Sequence, residues 1–126
     1  PYQMKVYAAL QKDDTQQATD ALVALVSAFQ DDADVLNMAA WTLTTVPIPV
    51  RDLATATSAA EQAVALTEGK DASIIDTLAR VHYLRADIDR ALELQRDAVE
   101  LAPEDEDLRS TLKYYEHVKA LQVMKK

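Results

Sequence analysis

The chain has 126 residues, 49% of them hydrophobic and only 6% aromatic, with one Gly and four Pro, a composition that favours one all-helical domain with short connections. Acidic residues outnumber basic ones by 21 to 13, giving a net charge of -8, which opposes binding to phosphate backbones and anionic membranes and removes nucleic acid from the expected partners. The absence of cysteine excludes disulfides, thiol nucleophiles and thiolate metal sites, and no apolar run is long enough to span a bilayer.

In chain order, apolar periodicity predicts a first helix over about 2–11 and a second over about 15–29, together a weak repeat over 1–31. The second carries Ala18, Leu22 and Leu25 on one stripe. An interrupted repeat follows over 34–69. Its first helix presents Leu36, Ala39, Ala40 and Leu43, and its second Ala56, Ala60 and Ala63, with Leu66 and a helix-ending Gly69 behind them. Between the two, Val46-Pro47-Ile48-Pro49-Val50 excludes helix and favours an extended bend, because proline lacks the donor and restricts its predecessor. The next unit, 71–103, is the clearest. Asp71 and Asp87 stand before apolar-periodic runs, where a carboxylate accepts orphan N–H groups and suits the positive helix end. Helices are predicted over 72–85 and 88–102, and Pro103 stops the second. Glu104-Asp105-Glu106 supplies an acidic start for a last helix over 107–123. Its face of Leu108, Leu112, Tyr115, Val118 and Leu121 fits a terminal cap with one polar side.

The stretch DASIIDTLARVHYLRADIDRALELQRDAVELAP, Asp71 to Pro103, closely resembles a tetratricopeptide repeat, a pair of antiparallel helices about 34 residues long with small residues at close crossings. With Ala72 as the first position, Ile75, Leu78 and Ala79 stand at the fourth, seventh and eighth, Ala91 and Ala98 are the small residues of the second helix, and Pro103 terminates it. The resemblance implies an all-α fold of about three tetratricopeptide-like helical hairpins closed by a C-terminal capping helix. Three residues depart from the pattern: His82 where a Tyr-like ring is usual, Ala86 where a turn Gly is typical, and Gln95 where an aromatic is expected. Used as a ruler, the repeat exposes an insertion. Ala40 to Ala56 spans 16 positions whereas Ala79 to Ala91 spans 12, so four extra residues fall around Pro47 and Pro49. It also favours the Ala18, Leu22, Leu25 register of the first unit over one that uses Ala21 and Ala28.

The segments AAWTLTTVPIP and AAEQAVALTEGKDASIIDTLAR are similar to the C-terminal repeat region of some bacterial multidomain proteins, including thioredoxin-like ones. That similarity implies a regulatory or structural accessory domain of a larger enzyme; with Cys-x-x-Cys missing, the thioredoxin part itself is not in this chain. The chain starts at Pro1, so a targeting segment is expected outside it, and the compartment stays open between the cytoplasm and an extracytoplasmic space such as the periplasm.

Catalytic supply is poor, so no enzyme activity and no cofactor is expected. His82 and His117 are the only imidazoles, and His82 falls where these repeats bury a ring. The run Glu104-Asp105-Glu106-Asp107 lacks the glycine and spacing of a calcium loop, and the single Gly69 cannot build a phosphate cradle. In the tetratricopeptide fold the first helix of each hairpin lines a concave surface. Carried onto this chain, its outward positions are Asn37, Trp41 and Thr44, then Ser73, Asp76, Arg80 and Tyr83, with Ser110 and Tyr114 extending the row. These make up the expected partner-binding face for a protein or peptide, and self-association of the chain stays open. Two alternatives stand beside that reading: Asp76 and Arg80, four apart, pair with each other, and Trp41 belongs to the core. The family's chaperone-binding clamp of two Lys, two Asn and one Arg is not reproduced; Asn37 matches one type, and Asp76 places an anion where a cation belongs.

Overall fold

The computed structural model describes residues 15–46 and 52–125, and within them the chain forms six helices: α1 Thr15–Ala28, α2 Ala33–Thr45, α3 Leu53–Leu66, α4 Ala72–Leu84, α5 Ile88–Leu101 and α6 Glu106–Met124. Five of the six starts are fixed by the same local device. Asp32, Asp52, Asp71, Asp87 and Asp105 each sit at the N-cap of the helix that follows and accept from backbone N–H groups of its first turn. Asp52 also accepts from the Thr55 hydroxyl at 2.7 Å. Five of the 21 acidic residues are therefore placed where the helix dipole is positive.

Two hairpin helices end alike. After α3, Glu68 N–H donates to Ala65 O and Gly69 N–H to Val64 O; after α4, Ala86 N–H donates to Tyr83 O and Asp87 N–H to His82 O. Both are Schellman turns, which need a left-handed residue at the first position past the cap. That residue is Glu68 at φ 56° and Ala86 at φ 65°, with Gly69 at φ 66° one position later. The turn Gly of the repeat pattern is thus replaced at Ala86 by a residue carrying a Cβ; Glu68 holds the same left-handed position after α3, and Gly69 stands one residue past it.

Helices α2 and α3 pair as one hairpin and α4 and α5 as the next, α3 packs on α4, and α6 lies against α5. Ala39, Ala40, Ala56, Ala60, Ala63, Ala79, Ala91 and Ala98 are wholly buried. Alanine at these crossings lets helix backbones approach closely, which compensates for the shortage of rings. Leu22, Leu25, Leu36, Leu43, Ile74 and Val81 fill the spaces between them. In α1, Ala18, Leu22 and Leu25 are buried, as is Ala21 beside them, while Ala28 is exposed; the helix turns that stripe onto α2 and α3. Two sequence expectations, the helix over about 2–11 and the extended bend at Pro47 and Pro49, lie outside the described residues. The last helix buries Leu108 and Tyr115 and half-buries Leu112 and Val118, but Leu121 is exposed, so the apolar stripe outruns the surface it covers.

His82 departs from expectation. It is only partly buried rather than enclosed in the core, because it sits in the last turn of α4. Burial is the main cause lowering its pKa below the usual imidazole value, helped by Arg90. Gln95, by contrast, is completely buried. Its Nε2 donates to Asp76 Oδ1 at 2.9 Å and to the Leu108 carbonyl at 3.1 Å, so one amide ties α4, α5 and α6 together.

Candidate functional site

Alternate helices α2, α4 and α6 present their outward residues on one face, and ring contacts knit them. Trp41 of α2 lies under Arg80 of α4, the guanidinium carbon 4.9 Å from the ring centroid. On the other flank of α4, Tyr83 stacks on Tyr115 of α6 at 5.1 Å and meets Tyr114 edge-on at 5.6 Å. The Tyr83 and Tyr114 hydroxyls are 2.7 Å apart. That hydrogen bond is the leading cause of the raised Tyr83 pKa. Tyr115 is 2% exposed, and burial pushes its phenol up to about 12 against a partial offset from Arg80.

Trp41 is 39% exposed and Tyr114 52% exposed. Trp41 is therefore a surface ring and not core. Thr44 is the exception among the nine predicted residues: it is 3% exposed, and its hydroxyl donates to the Trp41 carbonyl of its own helix. Position 44 turns inward because it follows Leu43 and Ala40 onto the packing stripe, so no partner can reach its side chain. Asn37, Asp76, Arg80 and Tyr83 are half-buried and Ser73 is exposed.

The suspected Asp76–Arg80 ion pair does not form. Asp76 takes its hydrogen bond from Gln95, and among the described residues no carboxylate pairs with the Arg80 guanidinium. The Arg80 Nε is buried without a hydrogen-bond partner. Burial is the main cause raising the Asp76 pKa above the ordinary carboxylate range, opposed by the Gln95 hydrogen bond and by Arg80, with Asp105 and Asp107 adding repulsion.

Arg80 separates two recesses. One, of about 260 Å³, is lined by Arg80, Tyr83, Ser110, Thr111, Tyr114 and Tyr115. The other, of about 390 Å³, is lined by Asp34, Asn37, Met38, Trp41, Ser73, Asp76 and Thr77. All eight predicted residues other than Thr44 thus border one of these two recesses. Sequence reasoning missed Tyr115 as a wall of the site, since its apolar period marked it as cap core; it missed Met38, Thr77 and Thr111 because they stand one position off the outward row, and it passed over Asp34, which stands on that row as the equivalent of Ser73. Among the described residues, no group of three or more His, Cys, Asp or Glu is placed to hold a metal, and no helix is long and apolar enough to cross a membrane.

No protein-family model matches the chain, and no curated protein sequence matches it. The fold, however, is shared with a solved structure, the first TPR domain of the human RPAP3 protein determined by NMR. The two superpose with a TM-score of 0.68 over 94% of this chain and 90% of that one, at 16% sequence identity. The chain is therefore an all-α array of tetratricopeptide-like helical hairpins with a C-terminal capping helix.

Proposed function

We propose that this chain is a non-catalytic protein-interaction module that holds a partner peptide across the face formed by α2, α4 and α6. The observation that carries the reading is Arg80: a guanidinium stacked on an exposed Trp41, without a carboxylate partner among the described residues, set between two recesses and flanked by three tyrosines. A strongly acidic protein that leaves a half-buried Arg unpaired forgoes an ion pair within easy reach of its own composition. Arg, Trp and Tyr are also the residue types that dominate interface energetics: the rings give large contact area with few rotors, and the guanidinium gives a planar fork for bidentate contact. The partner class is a protein or peptide, with neither nucleic acid nor membrane insertion in its action.

The test is a random-peptide display selection against the folded chain, followed by calorimetry on the peptides recovered. Arg80→Ala and Tyr114→Ala, both at exposed or half-exposed positions, should each weaken the selected peptides by about tenfold or more while leaving the melting temperature nearly unchanged. Binders that ignore both substitutions would place the interaction on another surface.

A further inference from the structure

The two recesses flanking Arg80 have opposite charge. The α4/α6 recess holds the Arg80 guanidinium beside the hydroxyls of Ser110, Thr111, Tyr83 and Tyr114, with no carboxylate among the described residues of its lining. The α2/α4 recess holds the Asp34 and Asp76 carboxylates with no cation among the described residues of its lining, beside the Ser73 hydroxyl and Asn37, whose Oδ1 is buried without a partner. Trp41 gives this second recess an aromatic wall, and Met38 an apolar one. Ring faces and carboxylates both attract cations. A recess around an unpaired guanidinium, with no carboxylate of its own, attracts a carboxylate, which Arg can grip bidentately.

Taking the partner-peptide reading above as its basis, we infer that the bound segment carries charges of both signs, an acidic side chain seated on Arg80 in the α4/α6 recess and a basic side chain in the α2/α4 recess. The spacing follows from geometry. The recesses lie on opposite flanks of α4, and a helix with its side chains is about 10–12 Å across. An extended chain covers that width in about three residues at roughly 3.3 Å each. The occupant is an extended peptide in which Glu or Asp and Lys or Arg stand about three apart, and the polarity of the two seats fixes the direction in which it runs. A basic side chain also supplies what the half-buried Asp76 lacks, since Gln95 is its only hydrogen-bond partner among the described residues.

The experiment uses synthetic twelve-residue peptides on an Ala/Ser background, carrying Glu and Lys at spacings of two to four in both orders, beside all-Glu and all-Lys controls of equal length. Trp41 is the only Trp in the sequence, so its emission reports on the site alone, and calorimetry supplies affinities. One order of Glu and Lys should bind about tenfold more tightly than the reverse order and than either single-sign control. Arg80→Gln should abolish the preference for Glu while keeping that for Lys; the double variant Asp34→Asn, Asp76→Asn should do the opposite, with circular dichroism confirming that both remain folded. Equal binding of both orders, or tightest binding by a single-sign peptide, overturns the inference. The proposed function fails separately: that happens if the peptides recovered by display selection ignore Arg80→Ala and Tyr114→Ala. Display-selected peptides that need Arg80 but lack a basic residue would keep the binding face and remove only the mixed-charge reading.

Discussion

Ala86 holds a left-handed backbone at φ 65°, a conformation that costs a residue with a Cβ about 1–2 kcal/mol. Glycine there removes the strain but gives the unfolded chain more freedom, which returns about 0.4–1 kcal/mol. Ala86→Gly should therefore stabilise the protein by roughly 0.5–1 kcal/mol, read as a higher urea midpoint at unchanged slope; a lower midpoint would mean that the turn is not built as described. Asp76 gives a second residue-scale test. Its pKa in the folded protein is raised chiefly by burial, so the folded state binds the proton more tightly than the unfolded one. Stability on this account is highest below the ordinary carboxylate range and falls as pH rises through the raised value. Near neutrality the ionised Asp76 is a burden on the fold, and Asp76→Asn should flatten the acid limb of the stability curve and raise stability at pH 7. A melting curve at pH 7 in which Asp76→Asn is clearly less stable would show that the Gln95 hydrogen bond outweighs burial. Local signals such as the Asp71 and Asp87 caps, and the polar slot at Gln95, were legible in the sequence because each depends on a few neighbouring residues. The stacking of Arg80 on Trp41, the link from Gln95 to Asp76 and the burial of Thr44 were not, since each depends on how one helix is rotated against the next.

At the scale of elements, the alanine crossings set how closely helices stand. Ala98 is fully buried in α5, and Ala98→Leu forces three extra carbons into a contact with no space for them, at a cost of about 1–3 kcal/mol. Chemical denaturation of that variant measures the cost directly, and an unchanged midpoint would refute the packing role of this stripe. The bounds of α4, α5 and α6 fall within a residue or so of their sequence expectations because their caps and Pro103 act as explicit start and stop signals. The end of α3 was read one residue late. Gly69 drew the stop signal to itself, whereas Glu68 takes the left-handed position, a substitution that no simple glycine rule anticipates.

Across the whole molecule, an array of hairpins is stabilised by nearest neighbours, so its last repeat depends on what closes it. Here α6 serves the core and the binding face at once. Its Tyr115 is buried against Tyr83 and keeps its phenol protonated up to about 12, mainly through burial. Its Leu108 carbonyl accepts from the buried Gln95, and its Ser110, Thr111 and Tyr114 line the recess beside Arg80. Because the folded state holds the Tyr115 proton more tightly than the unfolded chain, where tyrosine titrates near 10, its contribution is complete below that pH and is lost as pH climbs toward 12. Alkaline titration followed by tyrosinate absorbance should show the Tyr115 ring ionising last and in step with the loss of helical circular dichroism. Tyr115→Phe keeps the packing and removes the titration, so it should move the unfolding limb to higher pH. If instead all the tyrosines ionise together near 10 while the helical signal persists, Tyr115 is not buried in solution, and α6 does not close the array in the way that makes the tyrosine-walled recess.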